Sequence, residues 1–88
     1  MKIKSNFILR TIAGSNVVVP IGSDVVDFNG MISLNETGAF LWEKLKTEKS
    51  SDELVAAMLS EYDVDEKTAK EDVADFIKTL TNNGLIEE

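Results

Sequence analysis

Carboxylates are the only side chains in this 88-residue sequence dense enough to suggest chemistry, with 16 Asp and Glu against 9 Lys and Arg, and with neither histidine nor cysteine. Glu61, Asp63, Asp65 and Glu66 lie close together, and such oxygens suit a hard cation. They do not reproduce the twelve-residue calcium loop, which needs a central glycine and a terminal bidentate Glu. Asp65 and Glu66 fit a helix start instead, one as a cap and the other as a complement to the positive end of the helix dipole. The missing histidine removes the side chain that ordinarily exchanges a proton near neutral pH, and with it any Ser/His nucleophile. The missing cysteine removes thiol nucleophiles and thiolate metal sites. Gly14, Gly22, Gly30, Gly38 and Gly84 form neither a P-loop nor a dinucleotide fingerprint. Trp42 sits in an amphipathic stretch, where an aromatic belongs to the core more often than to a partner surface. The expectation is a domain with no catalytic residue, no metal and no cofactor, whose whole activity is binding a protein or peptide.

Charge and length narrow the partner. A net charge of −7 repels a phosphate backbone, and the cations Lys2, Lys4, Arg10, Lys44, Lys46, Lys49, Lys67, Lys70 and Lys78 are scattered rather than gathered in a stripe. No nucleic acid is expected. A chain of this length makes one domain, residues 1–88, with one core. No apolar run approaches the roughly 18 to 20 residues that span a bilayer, and Lys2, Lys4, Asn6 and Arg10 interrupt any signal-peptide core. A cytoplasmic protein without a membrane partner is the expectation, and the lack of cysteine agrees with it.

The elements that must build the binding surface follow from two hydrophobic periods. Two apolar runs, Phe7 to Ile12 and Val17 to Val19, flank Gly14-Ser15-Asn16, which predicts a hairpin ending at Pro20. Asn29-Gly30 is a type I′ turn signal before a strand over Met31 to Leu34, whereas Val25 to Phe28 either pairs with that strand or forms an irregular or helical connection. After Leu34 the period lengthens to about 3.6 and predicts three helices. The first is capped by Asn35, the second by a Ser50/Glu53 capping box, and the third by Asp65 with Val64 and Ala69 as a hydrophobic staple. Asn83-Gly84 stops the third helix, and Leu85-Ile86 either returns as a short strand or packs under the sheet. Gly38 inside the first helix predicts close packing against another backbone. The fold class is therefore α+β, a three-stranded antiparallel sheet followed by three helices. Leu34, Leu41, Trp42, Leu45, Leu54, Met58, Leu59, Val73, Phe76, Ile77 and Leu80 are its expected core.

The run Val18-Val19-Pro20, followed by Phe28-Asn29-Gly30-Met31-Ile32-Ser33-Leu34-Asn35-Glu36-Thr37-Gly38-Ala39-Phe40-Leu41-Trp42-Glu43-Lys44-Leu45, resembles the PqqD-like family. So do Glu53-Leu54-Val55, Glu61-Tyr62-Asp63-Val64, Asp72-Val73 with Phe76-Ile77 and Leu80, and Gly84-Leu85-Ile86. The similarity runs from about Phe7 to Ile86, and Leu34-Asn35-Glu36-Thr37-Gly38 is its most specific segment. The connection from Pro20 to Gly30 is longer than in the namesake proteins. The resemblance implies a winged-helix-like domain that recognises the leader of a ribosomally made precursor peptide. The leader would add as a strand beside the third helix while a radical S-adenosylmethionine enzyme modifies the rest of the precursor.

That implication places the peptide on Met31, Ile32, Ser33 and Leu34. At about 100° per residue, Asp72, Thr79 and Asn83 project along one flank of the third helix's apolar stripe, and Lys70, Ala74 and Thr81 along the other. The first flank, with Phe76 as the floor, completes the expected site. A winged-helix domain that binds DNA or regulates transcription is the alternative reading of the same architecture, and an open edge strand also permits a homodimer.

Overall fold

The computed structural model describes residues 1–21 and 32–87. A short β1 (Lys2–Ile3) precedes a hairpin of β2 (Phe7–Ile12) and β3 (Ser15–Pro20). Ile12 pairs with Ser15, so the turn is Ala13-Gly14, with φ of 51° and 81°. The turn thus falls earlier than Gly14-Ser15-Asn16, and β3 starts at Ser15 rather than Val17. Two central residues at positive φ match the right-handed twist of the flanking strands, which lets Ser15 and Asn16 join the ladder. Thr11 Oγ1 then donates to Asn16 Oδ1 across the strands at 3.2 Å.

β4 (Ile32–Leu34) pairs antiparallel with β3 in the register Asn16 to Leu34, Val17 to Ser33 and Val18 to Ile32, so the sheet order is β2-β3-β4. Pro20 pairs with Phe7, beyond the reach of β4, where its missing N–H costs no bond to that strand. The expected positions Val25 to Phe28, Asn29-Gly30 and Met31 lie outside the described residues.

Three helices follow, α1 (Glu36–Lys44), α2 (Ser51–Glu61) and α3 (Glu66–Asn82), each started by the cap expected from its sequence. Ser50 and Glu53 exchange side-chain bonds of 2.9 and 3.2 Å with each other's backbone N–H, and Asp65 Oδ1 accepts from the Thr68 N–H at 2.7 Å. At the far end of α3, Gly84 takes φ of +69° and donates to the Thr81 carbonyl, while the Leu85 N–H reaches the Leu80 carbonyl at 2.9 Å. These are the two bonds of a Schellman stop, and Leu85 and Leu80 are both fully buried beneath it. None of the described helices is long and apolar enough to cross a membrane.

Beyond that stop, β5 (Ile86–Glu87) pairs antiparallel with β1. Two residues carry no periodic signal, so β1 is legible only from its partners. The Ile3 N–H donates to the Leu45 carbonyl and the Lys4 N–H to the Leu85 carbonyl. The Met1 ammonium meets Glu48 Oε1 at 2.8 Å, tying this edge to the loop between α1 and α2.

α2 packs on α3, and α1 packs on both and on β4. Their shared core includes Leu41, Trp42, Leu45, Leu54, Met58, Val73, Phe76 and Leu80, as expected, and adds Ile3, Val18, Ala69 and Leu85. Leu34 and Ile77 are only partly buried against it. Leu59 is the misplaced member, 40% exposed. It points about 140° away from Leu54 around α2, too far for the stripe that Leu54 and Met58 share.

The two leucines of α2 therefore respond differently to truncation. Leu54→Ala should cost about 2 to 5 kcal/mol and Leu59→Ala should stay within about 0.5 kcal/mol, as read from chemical denaturation midpoints. The caps add a pH dependence. Glu53 and Asp65 are held below their ordinary values of 4.5 and 3.8, chiefly by hydrogen bonds from the backbone N–H groups of Ser50 and Thr68. A lowered folded value stabilises the fold above the ordinary carboxylate range and loses that effect as pH falls through the lowered value. Asp65→Ala should lower stability at neutral pH and flatten its decline on acidification; equal acid slopes in circular dichroism would show that the cap carries no such linkage.

Candidate functional site

Among the described residues, β4 has a neighbouring strand on one side only. β3 occupies its inner edge, and among the described residues no strand pairs with the other. Successive residues of an antiparallel strand direct their N–H and C=O groups to alternate edges, and the register turns those of Ser33 to the side where no described strand pairs. Ile32 and Leu34 turn their side chains toward the core, whereas Ser33 is exposed.

The open edge borders a cleft of about 320 Å³ between the β4–α1 junction and α3. Its floor is apolar, made by Leu41 and Phe76, which are 1% and 6% exposed. One wall is Ser33, Leu34 and the first turn of α1 with its cap, Asn35, Thr37 and Gly38. The opposite wall is the flank of α3 carrying Asp72, Asp75 and Thr79. Asn35 holds the first wall in place: its Oδ1 accepts from the Gly38 N–H at 2.8 Å and from Thr37 Oγ1 at 3.1 Å.

Gly38 is buried in α1, and the crowding around it comes from within this junction rather than from another backbone. A Cβ there would lie 3.1 Å from Asn35 Oδ1 and 3.3 Å from Leu34 Cβ. The glycine thus keeps the cap bond short and the strand close to the helix it feeds.

Of the residues expected at the site, Ser33, Leu34, Asp72, Phe76 and Thr79 come together around the cleft. Ile32 lies on β4 but does not line it, and Met31 lies outside the described residues. Asn83 caps the end of α3, where its Nδ2 donates to the Thr79 carbonyl at 2.8 Å, and it does not line the cleft either. Asn35, Thr37, Gly38, Leu41 and Asp75 line it without having been expected to. Asp75 could have been found from helical spacing, three residues after Asp72, whereas the α1 residues enter only because the first turn of that helix meets α3.

The other flank of α3 faces α2 across a groove of about 530 Å³ bordered by Val55, Lys70, Ala74, Ile77 and Thr81. It has no strand edge. The acidic group considered for a cation is dispersed by its bonds, Asp65 to the Thr68 N–H and Glu66 to Lys70 at 3.2 Å. Among the described residues no cluster of three or more His, Cys, Asp or Glu is arranged to hold a metal.

Residues 15–86, from the start of β3 to β5, match the family model described as coenzyme PQQ synthesis protein D (PqqD). The chain belongs to the PqqD family. Among solved structures, this PqqD-family fold is similar to TbiB1 in complex with the TbiA(beta) leader peptide, with 29% identity, a TM-score of 0.74 and coverage of 99% of this chain and 95% of that one. It is also similar to a lasso peptide synthetase B1 complexed with the leader peptide, at 21% identity and a TM-score of 0.73, with 99% and 96% covered. The latter likeness is one of fold. No curated protein sequence matches this PqqD-family chain significantly.

The tight junction generates a test. Gly38→Val places a branched side chain against Asn35 and Leu34 and should destabilise the domain by about 1 to 3 kcal/mol despite the better helix propensity of most residues over glycine. A midpoint in urea equal to that of the unaltered protein would show that the junction gives way without cost.

Proposed function

We propose that this PqqD-family domain binds the leader segment of a ribosomally made precursor peptide by strand addition along β4, and presents the rest of the precursor to a modifying enzyme. The observation that carries the reading is an edge of β4 that no described strand pairs, beside a cleft with an apolar floor. An extended peptide satisfies the free N–H and C=O groups of such an edge, and alternate side chains drop into the neighbouring pocket. TbiB1, which shares 29% identity over nearly the whole chain, was solved with a leader peptide bound, and this supports the same class of ligand here. The domain acts as a non-catalytic adaptor, in keeping with a sequence that holds neither histidine nor cysteine. The enzyme it serves is of the radical S-adenosylmethionine class, as the resemblance to the PqqD-like family implies.

The winged-helix alternative, DNA binding, is disfavoured by the same surface. α3 presents Asp72 and Asp75 to the cleft, and a phosphate backbone brought there would meet like charge.

Titrating the synthetic leader of a precursor peptide encoded beside this gene into ¹⁵N-labelled protein should shift the amides of Ile32 to Leu34 and of α3 from Asp72 to Thr79. Ser33→Pro removes the backbone donor that β4 turns away from β3 and restrains the strand, so affinity should fall by about tenfold or more while circular dichroism shows the helices intact. Shifts confined to α2, or a binding constant untouched by the proline, would overturn strand addition at β4.

A further inference from the structure

The cleft beside β4 carries a charge pattern that binding by backbone alone does not explain. Asp72 and Asp75 both line it, and neither makes a hydrogen bond or an ion pair with any described residue. No lysine or arginine is among the described residues lining the cleft. Asp75 is exposed, but Asp72 is already partly buried. A peptide laid over this wall strips further water from both carboxylates. An uncharged peptide would leave them dehydrated without a partner, which is costly, whereas a cation on the peptide would compensate them.

We propose that the cleft selects leaders carrying a lysine or arginine on the side of the added strand that faces α3, held by Asp72 and Asp75, with an apolar residue two positions away seated on Phe76 and Leu41. The spacing follows from two repeats. The four-residue step from Asp72 to Phe76 along α3 covers about 6 Å, close to the roughly 6.6 Å between alternate residues on one face of a strand. A peptide running along α3 therefore sets one side chain over the carboxylates and the next one on the same face over the apolar floor. The overall charge of −7 adds a long-range attraction for a basic segment. This inference rests on the leader-binding reading and specifies the ligand of that same site.

The test is selection from a library of random short peptides displayed against the unaltered protein and against the Asp72→Asn/Asp75→Asn double variant. Amide shift maps of ¹⁵N-labelled protein then locate the selected peptides. The unaltered protein should enrich peptides with Lys or Arg two residues from an aromatic or aliphatic residue, and the double variant should keep the apolar preference while losing the cationic one. Replacing the selected cation by Gln should weaken binding to the unaltered protein about five- to tenfold at low salt, less at high salt, and hardly at all in the double variant. Peptides that shift the β4 amides without any preference for a cation would overturn the proposal and leave strand addition standing. So would a cation whose replacement costs the same in both proteins, since it would be read elsewhere. Selected peptides that never shift Ile32 to Leu34 would overturn both this proposal and the reading beneath it.

Discussion

Only Asn35 stands between the last residue of β4 and the first of α1, and that one-residue joint governs the rest of the molecule. No slack remains for the strand and helix to settle independently. Asn35 supplies the cap bonds from the Gly38 N–H and Thr37, and its own carbonyl accepts from the Ala39 N–H at 2.9 Å, so the helix axis is set as soon as the strand ends. Once α1 is aimed, Leu41, Trp42 and Leu45 are aimed too, and α2 and α3 close around them. The edge of β4 is thereby held at a fixed distance from α3. Gly38 belongs to the same constraint, because a larger residue would press on both the cap and the strand.

α3 acts as a partition. Ala69, Val73, Phe76 and Leu80 are buried along its inner stripe, and each flank borders a separate groove. The flank toward β4 is acidic and adjoins a strand edge that no described strand pairs. The flank toward α2 carries Lys70 and Lys78 around the apolar side chains of Val55 and Ile77. One helix thus offers two chemically different surfaces separated by a single buried row, which is a consequence of 3.6-residue periodicity applied to a stripe narrower than half the helix.

What could be read from the sequence was whatever is decided locally. Asn35, Ser50 with Glu53, Asp65 and Gly84 each satisfy backbone groups within a few residues of themselves, so their types and spacing were enough to bound the helices. What could not be read was decided by distant partners. Ser15 and Asn16 look like turn residues until the pairing of Ile12 with Ser15 assigns the turn to Ala13-Gly14. Leu59 looks like core because it is apolar and neighbours Met58, yet its direction around α2 leaves it in water. Lys2 and Ile3 become a strand only because β5 and the Leu45 carbonyl are there to receive them. The cleft follows the same division: Asp72, Phe76 and Thr79 could be placed on one flank by helical spacing, whereas Thr37, Gly38 and Leu41 enter through the way α1 meets α3, which no local pattern encodes.

The pairing of β1 with β5 sets Lys2 opposite Glu87, so the two ends of the described chain emerge side by side. Facing residues of an antiparallel pair lie about 4.5 to 5.5 Å apart, a gap that a short linker bridges. The domain is therefore built like a cassette. It can be spliced into a surface loop of a larger polypeptide, or joined end to end and reopened elsewhere, without disturbing the fold between those two points. Such a unit can be moved between a separate chain and an insertion in another while the β4 edge and its cleft remain unchanged.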